Sequence, residues 1–288
     1  MGFLDKLLGR KDLNLRESRF DGMLYPADDD ELRDEVKSLL AQAQDDLEER
    51  ELAGGEQQQG RTRALIVPQA EYVYAGPIMA AGWATLLDET SDFERVVVVG
   101  SSRLVPFRGL AITGYDGFQT PLGPVAFDKQ AIEALARLEQ VRAIEPAFDP
   151  EASIEAQLPF VHEVLGEVAL VPLMVGDATD AQVEEAIADF IDDPKTLVVV
   201  SANLSSDVSF ERAEALDEET SRAIEALDAE SIGREHSTGR IAIRGLVRAA
   251  KARGMIGRTI TQRTSADTAG EEAGPVTGYG AFAFYATD

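Results

Sequence analysis

Residues 95–100 read Arg95-Val96-Val97-Val98-Val99-Gly100, and residues 196–201 read Thr196-Leu197-Val198-Val199-Val200-Ser201. Each is a short β-branched run without polar alternation. That pattern marks a strand covered on both faces, which is found where helices pack against both sides of a sheet. Outward from these two runs the chain alternates. Strands are predicted over 63–67, 110–113, 141–144, 168–175, 259–263 and 277–285, and helices over 28–50, 77–87, 128–139, 153–165, 180–191, 211–226 and 239–253. A shorter helical piece is expected around 229–235. The fold class is therefore α/β, a single domain with a buried central mixed sheet and helices on both faces. The domain is expected over 20–288, preceded by an extension over 1–19.

Composition narrows the function. The chain has 288 residues, with 52 acids against 27 bases and a formal net charge of −25. Such a field repels nucleic acid and anionic lipid, so neither is expected as a partner. Only six of the bases are lysine. Excess carboxylate with scarce lysine suits a salt-rich cytoplasm, and codon bias towards arginine is the competing explanation. Cysteine is absent, which removes disulfides, thiolate catalysis and cysteine–zinc sites and fits a cytoplasmic location. No signal peptide and no integral membrane segment are read. The start, MGFLDKLLGRK, puts Phe3, Leu4, Leu7 and Leu8 on one helical face. It suits a membrane surface or a partner, with a frayed terminus or a helix packed on its own domain as the simpler reading. Residues 53–61 (AGGEQQQGR) read as a loop.

Ligands in α/β sheets bind beyond the carboxyl ends of strands. Three loops occupy that position: 68–76, 101–106 and 202–207. Their residues, with others further on, carry a resemblance. Tyr25-Pro26-Ala27-Asp28 precedes the first helix, and Pro68-Gln69-Ala70-Glu71-Tyr72-Val73-Tyr74-Ala75-Gly76 follows the first strand. Then come Gly100-Ser101-Ser102-Arg103-Leu104-Val105-Pro106, Glu151-Ala152-Ser153-Ile154-Glu155-Ala156-Gln157-Leu158-Pro159-Phe160, and VPLMVG at 171–176. Ser201-Ala202-Asn203-Leu204-Ser205-Ser206, Thr238-Gly239-Arg240, and the ending TSAD at 264–267 with 276–284 complete the series. In this order they resemble the Memo family, whose fold is similar to that of class III extradiol dioxygenases.

The resemblance also shows departures. The family's pocket histidines correspond to Gln69, Arg103 and Ser206, its cysteine to Thr238, and a further histidine to Ala152. None of these replacements is a good donor for iron, copper or zinc, and arginine places a fixed positive charge where an ion would sit. No cofactor or metal is expected. The pocket is expected to contain Gln69, Glu71, Tyr72, Ser102, Arg103, Ala152, Ser153, Glu155, Asn203, Ser206, Thr238 and Arg240. A Glu71–Arg103 ion pair is expected to fill it. A hard cation held by Glu71 and Glu155 is the competing occupant. Another is a small polar or anionic molecule bound through Arg103 and Arg240. The only histidines, His162 and His236, are expected in core, cap or solvent roles. No Ser–His–Asp set and no glycine-rich phosphate loop is present. The expected function is binding or protein interaction by a non-catalytic relative, with an enzyme using an altered pocket as the alternative. The oligomeric state is not read from the sequence.

Overall fold

The computed structural model describes residues 13–52, 60–87, 93–269 and 274–287. The amphipathic start and most of the glycine- and glutamine-rich loop lie outside them. Among the described residues the chain forms β1 (Leu15–Arg16), α1 (Asp29–Leu52), β2 (Thr62–Val67), α2 (Tyr72–Ala84), β3 (Arg95–Ser101), β4 (Leu110–Ile112), β5 (Gly117–Thr120), β6 (Gly123–Ala126), α3 (Lys129–Leu135) and β7 (Val141–Ala143). Helical turns at Glu155–Gln157, Leu158–Phe160 and Val161–Leu165 follow. After them come β8 (Ala169–Val175), α4 (Asp180–Asp192), β9 (Thr196–Ser201), α5 (Phe210–Glu225), α6 (Arg240–Ala252), β10 (Ile256–Thr264), α7 (Ser265–Ala269) and β11 (Gly278–Tyr285).

Eight strands make one mixed sheet in the order β10-β11-β2-β9-β3-β8-β4-β7. Its centre, β2-β9-β3-β8, is parallel throughout. β11 joins β2 antiparallel, and β4 joins β8 antiparallel. The two valine runs, β3 and β9, are neighbours at the middle, and residues 96–99 and 197–200 are fully buried. Helices flank the sheet: α2 packs on β2, β10 and β11, α5 on β10 and β11, and α6 on β3 and β9. No helix among the described residues is long and apolar enough to cross a membrane.

Local chemistry explains most helix starts. The Asp28 carboxylate accepts the Asp30 and Glu31 N–H groups ahead of α1, and Asp128 accepts Ala131 N–H at α3. Thr179 and Gln182 form a reciprocal capping box at α4, and Ser209 caps α5. Two expectations are corrected. Pro77 does not open α2. The helix begins at Tyr72, with Tyr74 and Ala75 N–H groups bonded to the Glu71 carbonyl, and Pro77 sits inside it. Val73, four residues earlier, is exposed, so solvent can take the carbonyl that proline leaves without a donor. The single helix expected over 153–165 is instead a succession of 3-10, α and π turns ending at Gly166, whose φ is +66°.

A small sheet, β1-β5-β6, was not foreseen. β1 pairs parallel with β5 through Leu15 and Arg16, so the folded unit reaches back to at least Leu15, inside the segment expected as an extension. Arg16 is buried. Its guanidinium donates to Glu155 Oε2 at 2.6 Å and to the Phe148 carbonyl at 2.9 Å, and it lies over the Phe118 ring.

Candidate functional site

The parallel strands β2, β9, β3 and β8 all end on the same side of the sheet, and the loops leaving them converge there. Ser102 N–H donates to the Val175 carbonyl at 2.8 Å, tying the end of β3 to that of β8. Beyond β8, Asp177 N–H donates to the Phe107 carbonyl at 2.7 Å. Gly176 lies so close that a Cβ there would be 2.5 Å from the same oxygen. The start of α6 closes the third side: a Cβ on Gly239 would approach Ala202 Cβ to 2.6 Å. Glycine at 176 and 239 therefore follows from close backbone approach.

Between these three segments lies an open cleft of about 330 Å³. Ser102, Arg103, Thr238 and Arg240 contribute polar groups to its lining, and Val105, Phe107, Val175 and Ile241 contribute apolar surface. Asp177 stands at the same wall. The Ser102 hydroxyl donates to the Val105 carbonyl at 2.8 Å, which shapes the loop. The Arg103 loop is fixed by Glu151. One oxygen of that buried carboxylate accepts the Arg103 and Leu104 N–H groups, and the other lies 3.8 Å from Arg103 Nε.

A second polar cluster links the same strand ends. Gln157 Nε2 donates to the Pro68 carbonyl at 2.9 Å and to Ser201 Oγ at 2.8 Å, while Gln157 Oε1 accepts Trp83 Nε1–H at 3.1 Å. One fully buried amide thus joins β2, β9 and α2. Asn203 Oδ1 accepts Gln69 N–H at 2.7 Å, and the Asn203 carbonyl accepts the Ser237 hydroxyl at 2.6 Å. Gln69 Oε1 is buried without a hydrogen-bond partner.

The structure divides the expected pocket residues. Ser102, Arg103, Thr238 and Arg240 share the cleft. Gln69 and Asn203 are bonded to each other beside it, and Ser206 is half-buried on the same loop as Asn203. Ser153 packs its hydroxyl against Met174 and over Gly100, and Ala152 is half-buried next to it. Three residues do not belong to this group. Glu71 is exposed at the start of α2. Tyr72 is buried, with its hydroxyl on the Ala156 carbonyl at 2.7 Å. Glu155 is only 1% exposed and faces the N-terminal segment. Its Oε1 accepts from the Ser18 hydroxyl, the Arg19 and Phe20 N–H groups and the Tyr25 hydroxyl, and its Oε2 accepts from Arg16.

The expected Glu71–Arg103 pair does not form. Arg103 has Glu151 beside it because the carboxylate that ties down the loop's N–H groups is also the nearest acid to its guanidinium. Glu151, Gln157 and Arg16 were not among the expected residues. The signal for Gln157 was available, since an amide inside an otherwise apolar helical segment must find partners when buried.

Both histidines have local roles. His162 is half-buried with Nε2 3.2 Å from the Gly123 carbonyl, and burial lowers its pKa. His236 Nδ1 accepts Gly233 N–H at 2.9 Å, and Nε2 lies 3.3 Å from Glu219. Among the described residues no three His, Cys, Asp or Glu side chains gather in a way that could hold a metal ion. One further acid stands out. Asp217 is fully buried and accepts Ser205 N–H at 2.9 Å with one oxygen, leaving the other without a hydrogen-bond partner. Burial pushes its carboxyl up to about 6, against the lowering effect of the Ser205 N–H bond.

Fold and cleft together define a class: a single-domain α/β protein with a mixed sheet, whose candidate site is assembled from loops at the carboxyl ends of its parallel strands. The sequence model described as Memo-like protein matches residues 16–280, and the chain belongs to the Memo family. It is 33% identical over 150 residues to the protein memo-1 homolog of Caenorhabditis elegans, a match covering 50% of this chain and 42% of that protein. It is 28% identical over 282 residues to a MEMO1 family protein of Methanopyrus kandleri, covering 91% of this chain and 96% of the relative. The match thus spans less than half of the nematode protein and nearly all of the archaeal one. A crystal structure of an uncharacterized protein from Escherichia coli K12 is similar, with a TM-score of 0.48 and 15% identity over 77% of this chain and 99% of that one.

Proposed function

We propose that this protein is a non-catalytic member of the Memo family that acts by binding, with a pocket that carries no resident metal. The observation that supports this most is the character of the cleft, whose charged walls are formed chiefly by Arg103 and Arg240 rather than by a ligand set. The residues present do not fit a transition metal. Gln69 and Ser206 offer weak neutral donors, Thr238 and Ala152 offer essentially none, and Arg103 is cationic. The two carboxylates expected to compensate stand elsewhere, Glu71 exposed at the start of α2 and Glu155 held by Arg16, and Glu151 is engaged by the Arg103 loop. On this reading the protein works in the cytoplasm through protein partners or a small polar ligand, and its acidity serves solubility in salt.

Titration with Zn²⁺, Fe²⁺ and Cu²⁺ by calorimetry tests it. The wild type is expected to take up none of them at a defined stoichiometry, and a Q69H/R103H/S206H variant to gain binding. Stoichiometric uptake by the wild type would overturn the reading. A second reading, an enzyme acting on a small polar or anionic substrate, is favoured by the openness of the cleft, which no side-chain pair blocks. Turnover of such a compound, abolished by R240Q in a folded protein, would select it.

A further inference from the structure

Helix α6 carries Arg240, Arg244 and Arg248, Arg253 follows its last residue, and three of these four arginines have acidic partners. Arg244 pairs with Asp180 at 2.7 Å and with Glu230 at 3.0 Å, Arg248 with Glu184 at 2.8 Å, and Arg253 with Asp192 at 2.5 Å. Arg240 is the exception. It is half-buried at the cleft wall, and its side chain makes no ion pair or hydrogen bond with any described residue. Burial, and then the nearby charges of Arg234 and Arg244, hold its pKa below the usual arginine value. In a chain with 25 excess negative charges, a partly desolvated guanidinium without a carboxylate is out of place. Partly buried charge is costly until a counter-ion meets it. No side chain caps the start of α6, so the positive end of that 13-residue helix adds to the same side of the cleft.

The sign and size of the missing charge can be read from the other walls. Arg103 is already partly compensated by Glu151, 3.8 Å away, and Asp177 adds a carboxylate to the lining. With Arg103 matched by Glu151, one negative charge directed at Arg240 completes its pairing. A second would meet Asp177 and the field of the whole molecule. Ser102 and Thr238 add hydroxyls to the lining, Phe107, Val175 and Ile241 add apolar surface beside Arg240, and a cleft of about 330 Å³ suits a small ligand.

We infer that the cleft takes a small monocarboxylate, its two oxygens on the Arg240 guanidinium and its apolar body against Phe107, Val175 and Ile241. This names the ligand class for the binding function proposed above and rests on that reading. Guanidinium and carboxylate match as a planar two-bond pair, which a point-charge cation would not reproduce.

Calorimetric titration of the full chain with butyrate, its neutral isostere butyramide and inorganic phosphate, at constant ionic strength, tests the inference. Saturable binding of one butyrate per chain is expected, tighter than butyramide or phosphate. R240Q is expected to weaken it by about tenfold or more, and R240K to fall between the two. Should R240Q fail to fold by circular dichroism, T238F at an exposed lining position replaces it and is expected to block butyrate. Absence of saturable butyrate binding, equal affinity in R240Q or T238F, or tighter phosphate binding would overturn the inference. Metal uptake by the wild type is a separate readout and would overturn the proposed function instead.

Discussion

At the scale of single residues, buried polar side chains hold the strand ends in place. Glu155 accepts five hydrogen bonds from residues 16–25, including the buried ion pair with Arg16. Removing one partner of a buried pair strands the other, which costs about 3–5 kcal/mol. E155A should therefore lose that much stability in urea denaturation, and a R16M/E155L double variant should recover part of it. A loss below 1 kcal/mol (about the worth of one ordinary hydrogen bond) would mean the N-terminal segment is not anchored this way. Gln157 can be tested through Trp83, the only tryptophan of the chain. Q157L leaves the indole N–H and the Ser201 hydroxyl without their partner and is expected to cost about 2–4 kcal/mol, followed by tryptophan fluorescence.

Asp217 makes a prediction with a definite sign. Its folded-state pKa, raised to about 6 by burial, lies above the ordinary carboxyl value near 4. Between those values the folded protein holds a proton that the unfolded chain releases, so this group makes stability fall as pH rises from about 4 to 6. The full effect, about 3 kcal/mol, is present above pH 6. D217N should remove this part of the slope in a series of denaturation curves, leaving the variant more stable than wild type at pH 8 and not at pH 4. Parallel wild-type and variant curves would show that Asp217 does not titrate in this range.

At the scale of elements, the sequence was most readable where packing leaves one solution. The valine runs of β3 and β9 could only be central strands, and the alternation with helices led to the mixed sheet. β1, β5 and β6 were missed because they are only two to four residues long, so no periodicity can develop. The candidate site was readable as a set of loops but not as a set of directions. Glu155 lies in the same segment as Glu151, yet the turn between them aims it at Arg16, 139 positions away in the chain. Glu71 sits two residues from Gln69, but as the residue preceding α2 it faces solvent. Which of several nearby acids meets Arg103 depended on the path of a loop, and that path is set by backbone N–H groups that no sequence pattern displays.

The edge strand β10 carries an element-scale prediction. An exposed edge invites pairing with another chain. Here Arg50 donates to the Ile260 carbonyl at 2.5 Å, and Glu225 accepts Thr259 N–H at 3.0 Å. The strand is also irregular between Thr259 and Thr261. An R50A/E225A variant should self-associate more than wild type in sedimentation velocity over a concentration series. Unchanged sedimentation would show that the irregular pairing alone protects the edge.

At the scale of the whole molecule, charge sets the conditions under which the rest operates. A net charge of −25 favours solubility and opposes compaction through self-repulsion, which salt screens. The melting temperature is accordingly expected to rise between low and molar potassium chloride, and indifference to salt would count against adaptation to a salt-rich cytoplasm. The same field makes the unpaired Arg240 conspicuous and limits what the cleft can accept. The central claim, that a Memo-family scaffold here carries a pocket without a resident metal, is tested most directly by elemental analysis of the untagged protein purified without chelator. Iron, copper and zinc together should amount to far less than one atom per chain, whereas a single metal approaching one per chain would contradict it.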